Sequence, residues 1–161
     1  MHASSRWSEF RERGGLWVAA QFALMAGIAA AWPLPPEWPE SVRLPLYVVG
    51  ILLVVIGIGL VVWAHGALGR SFTTFTRPPR AGTRVEGGPY RLARHPMYGG
   101  GILLFAGFSL LFSATALALT AALAVLWWGK SAAEERMLVA RFPEYEAYRS
   151  RTPRRFWPGL F

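Results

Sequence analysis

The chain has 161 residues, a one-domain length, and 53% of them are apolar while only 16% are charged, against about 25% charged in a typical soluble domain. With a positive mean hydropathy this composition reads as a membrane protein. Cysteine is absent and every acid is a glutamate, which excludes disulfides, thiolate nucleophiles and Cys-ligated metals. The histidines, His2, His65 and His95, are scattered, so no dedicated metal site is expected. The formal charge of +8 comes from cations flanking apolar runs, a pattern that orients a chain in a membrane rather than one that binds nucleic acid.

Residues 1–15 are polar and basic. Ser8, Glu9, Arg11 and Glu12 predict a short surface helix, with Trp7 and Phe10 placed to dip into headgroups. The apolar run 16–32 reaches the lower length limit for a spanning helix. Ala29-Ala30-Ala31 is also similar to a small-residue cleavage site; the chain retains the segment, so it is read as the first span. Pro33, Pro35, Pro36 and Pro39 end that helix, and Trp32 and Trp38 suit an interfacial belt. The second run is 44–65, in which Gly57-Ile58-Gly59 offers a small surface for another helix; Trp63 and His65 mark the far interface.

Residues 66–97 form a polar connection carrying Arg70, Arg77, Arg80, Arg84, Arg91 and Arg94. Arg77-Pro78-Pro79-Arg80-Ala81-Gly82 cannot be regular helix, and the aromatic and proline content of the loop argues for an ordered, functional segment. The stretch from Gly99 to Trp128 holds no charge. As one helix it would be about 45 Å long, too long for a bilayer core of about 30 Å. A break is expected at Ser113-Ala114-Thr115, giving a hairpin whose second helix continues toward Phe142, where Pro143 follows. Residues 144–149 are a short amphipathic piece, and the basic tail ends in aromatic residues.

The expected fold is therefore all-α: a polytopic membrane helical bundle of about four transmembrane helices (16–32, 44–65, 97–112 and 115–135) with a C-terminal hairpin, a loop at 66–97 and a tail at 136–161. Sixteen of the 17 cations fall in the N-terminus, that loop and residues 129–161, against Arg43 alone in the loop 33–43. Both termini and the central loop are thus expected on the cytoplasmic side of a cytoplasmic membrane. The hairpin geometry carries the main inference about a site. Climbing from Met97 to the turn and descending again returns the chain near residue 131, which brings Glu134-Glu135 level with Arg94 and His95.

No GxGxxG follows a strand, and there is no GxxxxGK[ST], GxSxG or HExxH; Gly99-Gly100-Gly101 instead suits close packing at a helix start. Pro96 fits the first position of a helix, whose N-terminus suits a carboxylate or phosphate, and Arg94 adds a bidentate donor for the same group. Glu134 or Glu135 could accept from an ammonium or a ribose hydroxyl, and Tyr90, Pro96 and Tyr98 offer flat faces to a purine. The competing reading makes Arg94 and Glu134 a structural clamp and His95 a helix cap. Charges this close to a membrane core tend to be functional.

Gly88-Pro89-Tyr90-Arg91-x-x-Arg94-His95-Pro96-Met97-Tyr98-x-Gly100, an apolar hairpin, then Glu134-Glu135-x-x-Leu138-x-x-x-Phe142-Pro143-x-Tyr145-x-x-Tyr148, resembles the isoprenylcysteine carboxyl methyltransferase and phospholipid methyltransferase family. Leu68-Gly69-Arg70-Ser71-Phe72 is similar to that family's approach to the loop, and the likeness covers roughly residues 60–155. The resemblance implies S-adenosylmethionine as cofactor, with S-adenosylhomocysteine as product, bound at the cytoplasmic end of the hairpin. Carried over by position, it implies cofactor contacts from Val85, Tyr90, Arg94, His95, Pro96, Tyr98 and Glu134 or Glu135. It implies a substrate contact at Lys130, where family members often carry an arginine; lysine keeps the charge but loses the fork. The implied acceptor is lipophilic, an isoprenylcysteine-like carboxylate or a related lipid, with membrane lipids as partners. No catalytic base is evident. The alternatives are an NADPH-dependent membrane reductase of the sterol-reductase type and a non-enzymatic membrane scaffold.

Overall fold

Prolines and glycines set most of the helix ends. The computed structural model describes residues 7–11, 14–32, 34–75 and 85–157. Helix α1 runs Gly15–Ala29, α2 Glu40–Leu68, α3 Pro96–Phe112, α4 Ala114–Arg141 and α5 Tyr145–Arg151. Single turns of 3-10 helix occur at Gly69–Ser71 and Gly88–Arg91, and the described residues contain no strand. Residues 7–11 are helical; Glu12, and the Arg77–Gly82 stretch expected to be irregular, lie outside the described residues. At the end of α2 the chain turns at Gly69 with φ 48°, a left-handed value that glycine adopts without a Cβ clash.

Two helices, α2 with 29 residues and α4 with 28, are long and apolar enough to cross a membrane. The expectation of four full spans is met in length by these two. α1 has 15 residues and α3 has 17, about 22 and 25 Å at 1.5 Å per residue. The chain leaves helix after Ala29, and α3 is bounded by His95-Pro96 and Ser113. On α2, Leu44, Val55 and Val62 are 73%, 62% and 64% exposed. An apolar face of this extent calls for lipid rather than water as its solvent, so the chain is membrane-associated.

α2 and α3 pack antiparallel through glycines that meet in pairs. A Cβ on Gly57 would lie 2.7 Å from the Gly100 carbonyl oxygen and 2.5 Å from the Leu104 nitrogen, and one on Gly50 would lie 2.8 Å from the Gly107 carbonyl. The reverse contacts hold from Gly100 and Gly107. Each pair is seven residues from the next, so one stripe of each helix admits the other's backbone. Of the Gly57-Ile58-Gly59 surface only Gly57 serves this contact; nothing lies within 4 Å of a Cβ on Gly59. Gly57→Leu should therefore destabilise by roughly 1–3 kcal/mol or more through overpacking, while Gly59→Ala should be near neutral. Thermal melts of both variants in detergent check this contrast. α1 packs on α4, where Ile28 and Ala31 meet Ala116, Leu123 and Trp127, and Gly129 admits the ring of Trp17.

The hairpin turns at Ser113, which is extended at φ −154° and ψ 129°. The turn has no Pro or Gly, and its exposed donors are met by side chains instead. Ser113 Oγ accepts from the Ala116 N–H at 3.1 Å. Glu37, from the loop between α1 and α2, accepts from Ser113 Oγ at 2.8 Å and from the N–H groups of Ala114 and Thr115 at 2.9 and 3.3 Å. Its own N–H donates to the Phe112 carbonyl at 2.9 Å. These are the first free donors of α4 and one of the last free acceptors of α3.

The Ser113 hydroxyl first, and the Thr115 N–H next, hold the Glu37 carboxyl below the usual carboxylate range. A depressed folded-state value means that the cap's contribution is complete above the unfolded carboxylate range and is lost as pH falls through the folded value. Glu37→Gln should accordingly lower the melting midpoint at neutral pH, and the two proteins should converge in acid.

Candidate functional site

The hairpin brings its two ends to one depth. Across its middle Ser109 and Thr120 hydroxyls meet at 2.9 Å; further from the turn, Tyr98 OH donates to Glu134 Oε1 at 2.6 Å. His95 stands between the two glutamates, with Nδ1 3.6 Å from Glu134 Oε2 and Nε2 3.0 Å from Glu135 Oε1. His95, Tyr98 and Trp127 form a ring stack, with centroids 5.7 and 5.2 Å apart along it.

The two glutamates diverge because consecutive residues point about 100° apart around a helix. Glu134 faces a cavity of about 390 Å³ whose wall also includes Val85, Tyr90, Arg94, His95, Tyr98 and Lys130. Glu135 and Pro96 are not on that wall. Pro96 is fully buried at the start of α3. Glu135 Oε1 accepts from Arg94 Nε at 2.8 Å and lies 3.8 Å from Arg155 Nε. The expected clamp therefore exists, but its carboxylate is Glu135 rather than Glu134. Arg94 was expected to offer a bidentate fork to a ligand; its Nη1 instead donates to the carbonyls of Thr152 and Pro153.

Those carbonyls belong to the tail, which docks on the site through backbone. The N–H groups of Arg94 and His95 donate to the carbonyls of Arg154 and Arg155 at 3.0 and 2.8 Å. Trp157 Nε1 donates to the Gly99 carbonyl at 3.2 Å. A Cβ on Gly99 would lie 2.4 Å from the Phe156 carbonyl oxygen, so the first turn of α3, expected to face a ligand, is covered there by the tail. Gly100 and Gly101 admit α2 and the Trp127 ring, so the three glycines serve three different neighbours.

Lys130 is buried at 1% exposure. Its Nζ donates to Gln21 Oε1 and to the Thr74 carbonyl, each at 2.7 Å. Gln21 is a site residue that the sequence reading passed over; the signal was an amide alone in an otherwise apolar run. Tyr145 and Tyr148 were noted as motif residues but not as site residues, and both line the cavity. Tyr148 OH donates to the Tyr90 carbonyl at 2.6 Å. Burial pushes the Tyr90 and Tyr145 hydroxyls well above the usual tyrosine range, helped at Tyr90 by neighbouring Tyr148 and Glu134 and at Tyr145 by Glu135.

The cavity thus has three kinds of wall. Tyrosines line the end near the loop, Glu134 and Lys130 supply one charge of each sign, and Phe22, Met25, Val61 and Leu104 make an apolar side. Among the described residues no group of three His, Cys, Asp or Glu side chains is placed to hold a metal ion. Such a mixed wall is of the kind that receives an amphipathic small molecule.

The chain is 28% identical over 153 residues to the cobalt-zinc-cadmium resistance protein CzcN of Cupriavidus metallidurans, a match that covers 93% of this chain and 65% of that protein. It is likewise 28% identical over 154 residues to the nickel-cobalt-cadmium resistance protein NccN of Alcaligenes xylosoxydans xylosoxydans, covering 93% of this chain and 66% of that protein. The chain thus spans just under two thirds of the length of these curated relatives. The phospholipid methyltransferase family profile matches residues 45–144. That stretch holds α2 from Pro45 onward, the described part of the loop, the hairpin and both glutamates, and the chain belongs to the phospholipid methyltransferase family.

Proposed function

We propose that the protein is an integral membrane methyltransferase that uses S-adenosylmethionine to methylate a lipophilic acceptor at the cytoplasmic face. The observation that carries this reading is the placement of Glu134: a carboxylate held by Tyr98 on the wall of a cavity that is tyrosine-lined on one side and apolar on another. These residues fit the cofactor. Glu134 can accept from its ammonium or ribose hydroxyls, and Tyr90, Tyr145 and Tyr148 supply flat faces for adenine. When bound, S-adenosylmethionine supplies a methyl group on a sulfonium: the carbon–sulfur bond breaks with its electron pair left on sulfur, the bond to the acceptor forms, and S-adenosylhomocysteine remains.

The chain's own task is alignment and exclusion of water. Tyr98 and His95 fix the Glu134 carboxylate; Glu135, Arg94 and the tail hold His95 in place. Lys130 orients an anionic acceptor head, while Phe22, Met25, Val61 and Leu104 receive its apolar body. A carboxylate acceptor needs no base, since it attacks as it stands. α1 packs on α4 and α2 on α3, so the seam between α1 and α2 is the side from which an acceptor reaches the cavity out of the bilayer. In this reading all four long helices cross the membrane, α1 and α3 with their ends at the headgroups. Glu37 and Ser113 then mark the outer face, and the loop 66–97 and both termini the cytoplasmic one. Cysteine accessibility at residues 38 and 80 tests that topology; residue 80 on the outer side would overturn it.

The activity is tested by supplying methyl-labelled S-adenosylmethionine to the protein in bilayers with N-acetyl-S-farnesylcysteine or phosphatidylethanolamine. Label in the organic extract is the expected result. Oxidation of NADPH with no label transferred to either acceptor would replace the reading with the reductase one.

A further inference from the structure

Gln21 lies on α1, outside the residues 45–144 that carry the family match. It is 6% exposed, and its Oε1 accepts from Lys130 Nζ at 2.7 Å and from Trp127 Nε1 at 3.3 Å. Two cations are buried at this end of the bundle, and they are treated differently. Arg94 has the Glu135 carboxylate at 2.8 Å. Lys130 has two neutral oxygens, the amide of Gln21 and the carbonyl of Thr74, and the Tyr98 ring 5.5 Å from Nζ. Among the described residues no carboxylate oxygen lies within 4.0 Å of Lys130. Glu134, one turn along the same helix, directs its oxygens to Tyr98 and His95.

A buried ammonium with no carboxylate in contact is costly; Lys130 stands on the cavity wall, where Glu134 acts on it only through space. The group able to complete its surroundings is an anion inside the cavity. Gln21 decides whether that place is open. A glutamate there, with the same shape and one more negative charge, would pair with Lys130 directly from within the protein; the amide holds Nζ in position and leaves it without a carboxylate in contact.

We propose that Gln21 is a specificity-determining, positioning residue. By holding Lys130 through a neutral oxygen, it reserves the ammonium for the anionic head of a lipophilic acceptor, a carboxylate or a thiolate, and turns away cationic amine heads. The proposal rests on the methyl-transfer reading for what the acceptor is used for, not for the charge preference itself.

The test uses the full chain in bilayers of zwitterionic lipid, with dodecanoate and dodecyltrimethylammonium as probes and S-adenosylhomocysteine titrated separately. In Glu134→Gln, which removes the cavity wall's own carboxylate, dodecanoate should raise the melting midpoint and dodecyltrimethylammonium should not. Gln21→Glu should weaken dodecanoate binding on the order of tenfold or more while S-adenosylhomocysteine affinity stays unchanged. Lys130→Gln, which removes the charge from the other partner, should cause the same loss and stands in if Gln21→Glu does not fold. Equal binding of the two probes by Glu134→Gln, or dodecanoate binding that survives both the Gln21 and the Lys130 substitutions, would overturn the proposal. So would a loss confined to S-adenosylhomocysteine, which would assign the anion at Lys130 to the cofactor's own carboxylate. A wild type that binds no S-adenosylhomocysteine, beside a Glu134→Gln variant that shows the charge contrast, would sink the methyl-transfer reading and leave the role of Gln21 standing.

Discussion

Glu135→Leu is expected to cost the fold about 3–5 kcal/mol, the range for breaking one side of a buried ion pair. The two side chains of the Arg94–Glu135 pair are 8% and 6% exposed, so solvent can take over little of the lost interaction. Removal of the carboxylate leaves the Arg94 guanidinium with the Thr152 and Pro153 carbonyls as its acceptors among the described residues. The tail, tied to the backbone of Arg94 and His95, should loosen with it. Denaturant unfolding followed by tryptophan fluorescence measures the loss, since Trp127, Trp128 and Trp157 all lie beside the pair's neighbours. Adding Arg94→Met should recover much of the stability, because replacing both partners by apolar groups removes the uncompensated charge. A double variant no more stable than Glu135→Leu would mean that the pair is not the unit that holds this end together.

The neighbouring glutamate should behave in the opposite way. Glu134→Gln should leave the fold close to intact and weaken S-adenosylhomocysteine binding on the order of tenfold to a hundredfold, the equivalent of roughly 1.5–3 kcal/mol for a lost charge-assisted hydrogen bond. The Tyr98 hydroxyl can still donate to the amide oxygen, so the side chain keeps its place while its charge is gone. His95→Ala should weaken the same ligand, because the ring sets the position of both carboxylates. The double change should cost less than the two single ones added, since each already disables one shared site. Full additivity would place His95 and Glu134 on separate ligands. An affinity loss in Glu135→Leu larger than in Glu134→Gln, once folding is accounted for, would exchange the roles of the two glutamates.

The parts of the structure that follow from length and polarity were legible in the sequence. Thirty uncharged residues exceed what a bilayer core holds, so a break near Ser113 followed, and with it the depth match of His95 and Glu134. The capping of that break by Glu37 was not legible, because the acid comes from a loop 76 residues away in sequence. The choice between Glu134 and Glu135 turns on rotation about α4. It could not be made without knowing that Arg94 and the tail occupy one side and the cavity the other. The docking of the tail leaves little pattern in residue types, since beside the side chains of Arg155 and Trp157 it works through the carbonyls of Arg154 and Arg155. The four-span expectation counted apolar residues; α1, expected over 16–32, ends at Ala29 where the chain turns, whereas α3 runs Pro96–Phe112 against the expected 97–112 and stops at the extended Ser113. Gln21 had a signal, one amide among apolar neighbours, whose meaning depended on a lysine 109 residues away.

The account stands most directly on what the Glu134 cavity binds. Isothermal titration of the purified wild-type protein with S-adenosylhomocysteine, and in parallel with NADPH, measures it. Saturable binding of S-adenosylhomocysteine at one site per chain, lost or much weakened in Glu134→Gln, with no heat from NADPH, is the result predicted. Saturable binding of NADPH, or no binding of S-adenosylhomocysteine by protein that melts cooperatively, would contradict it.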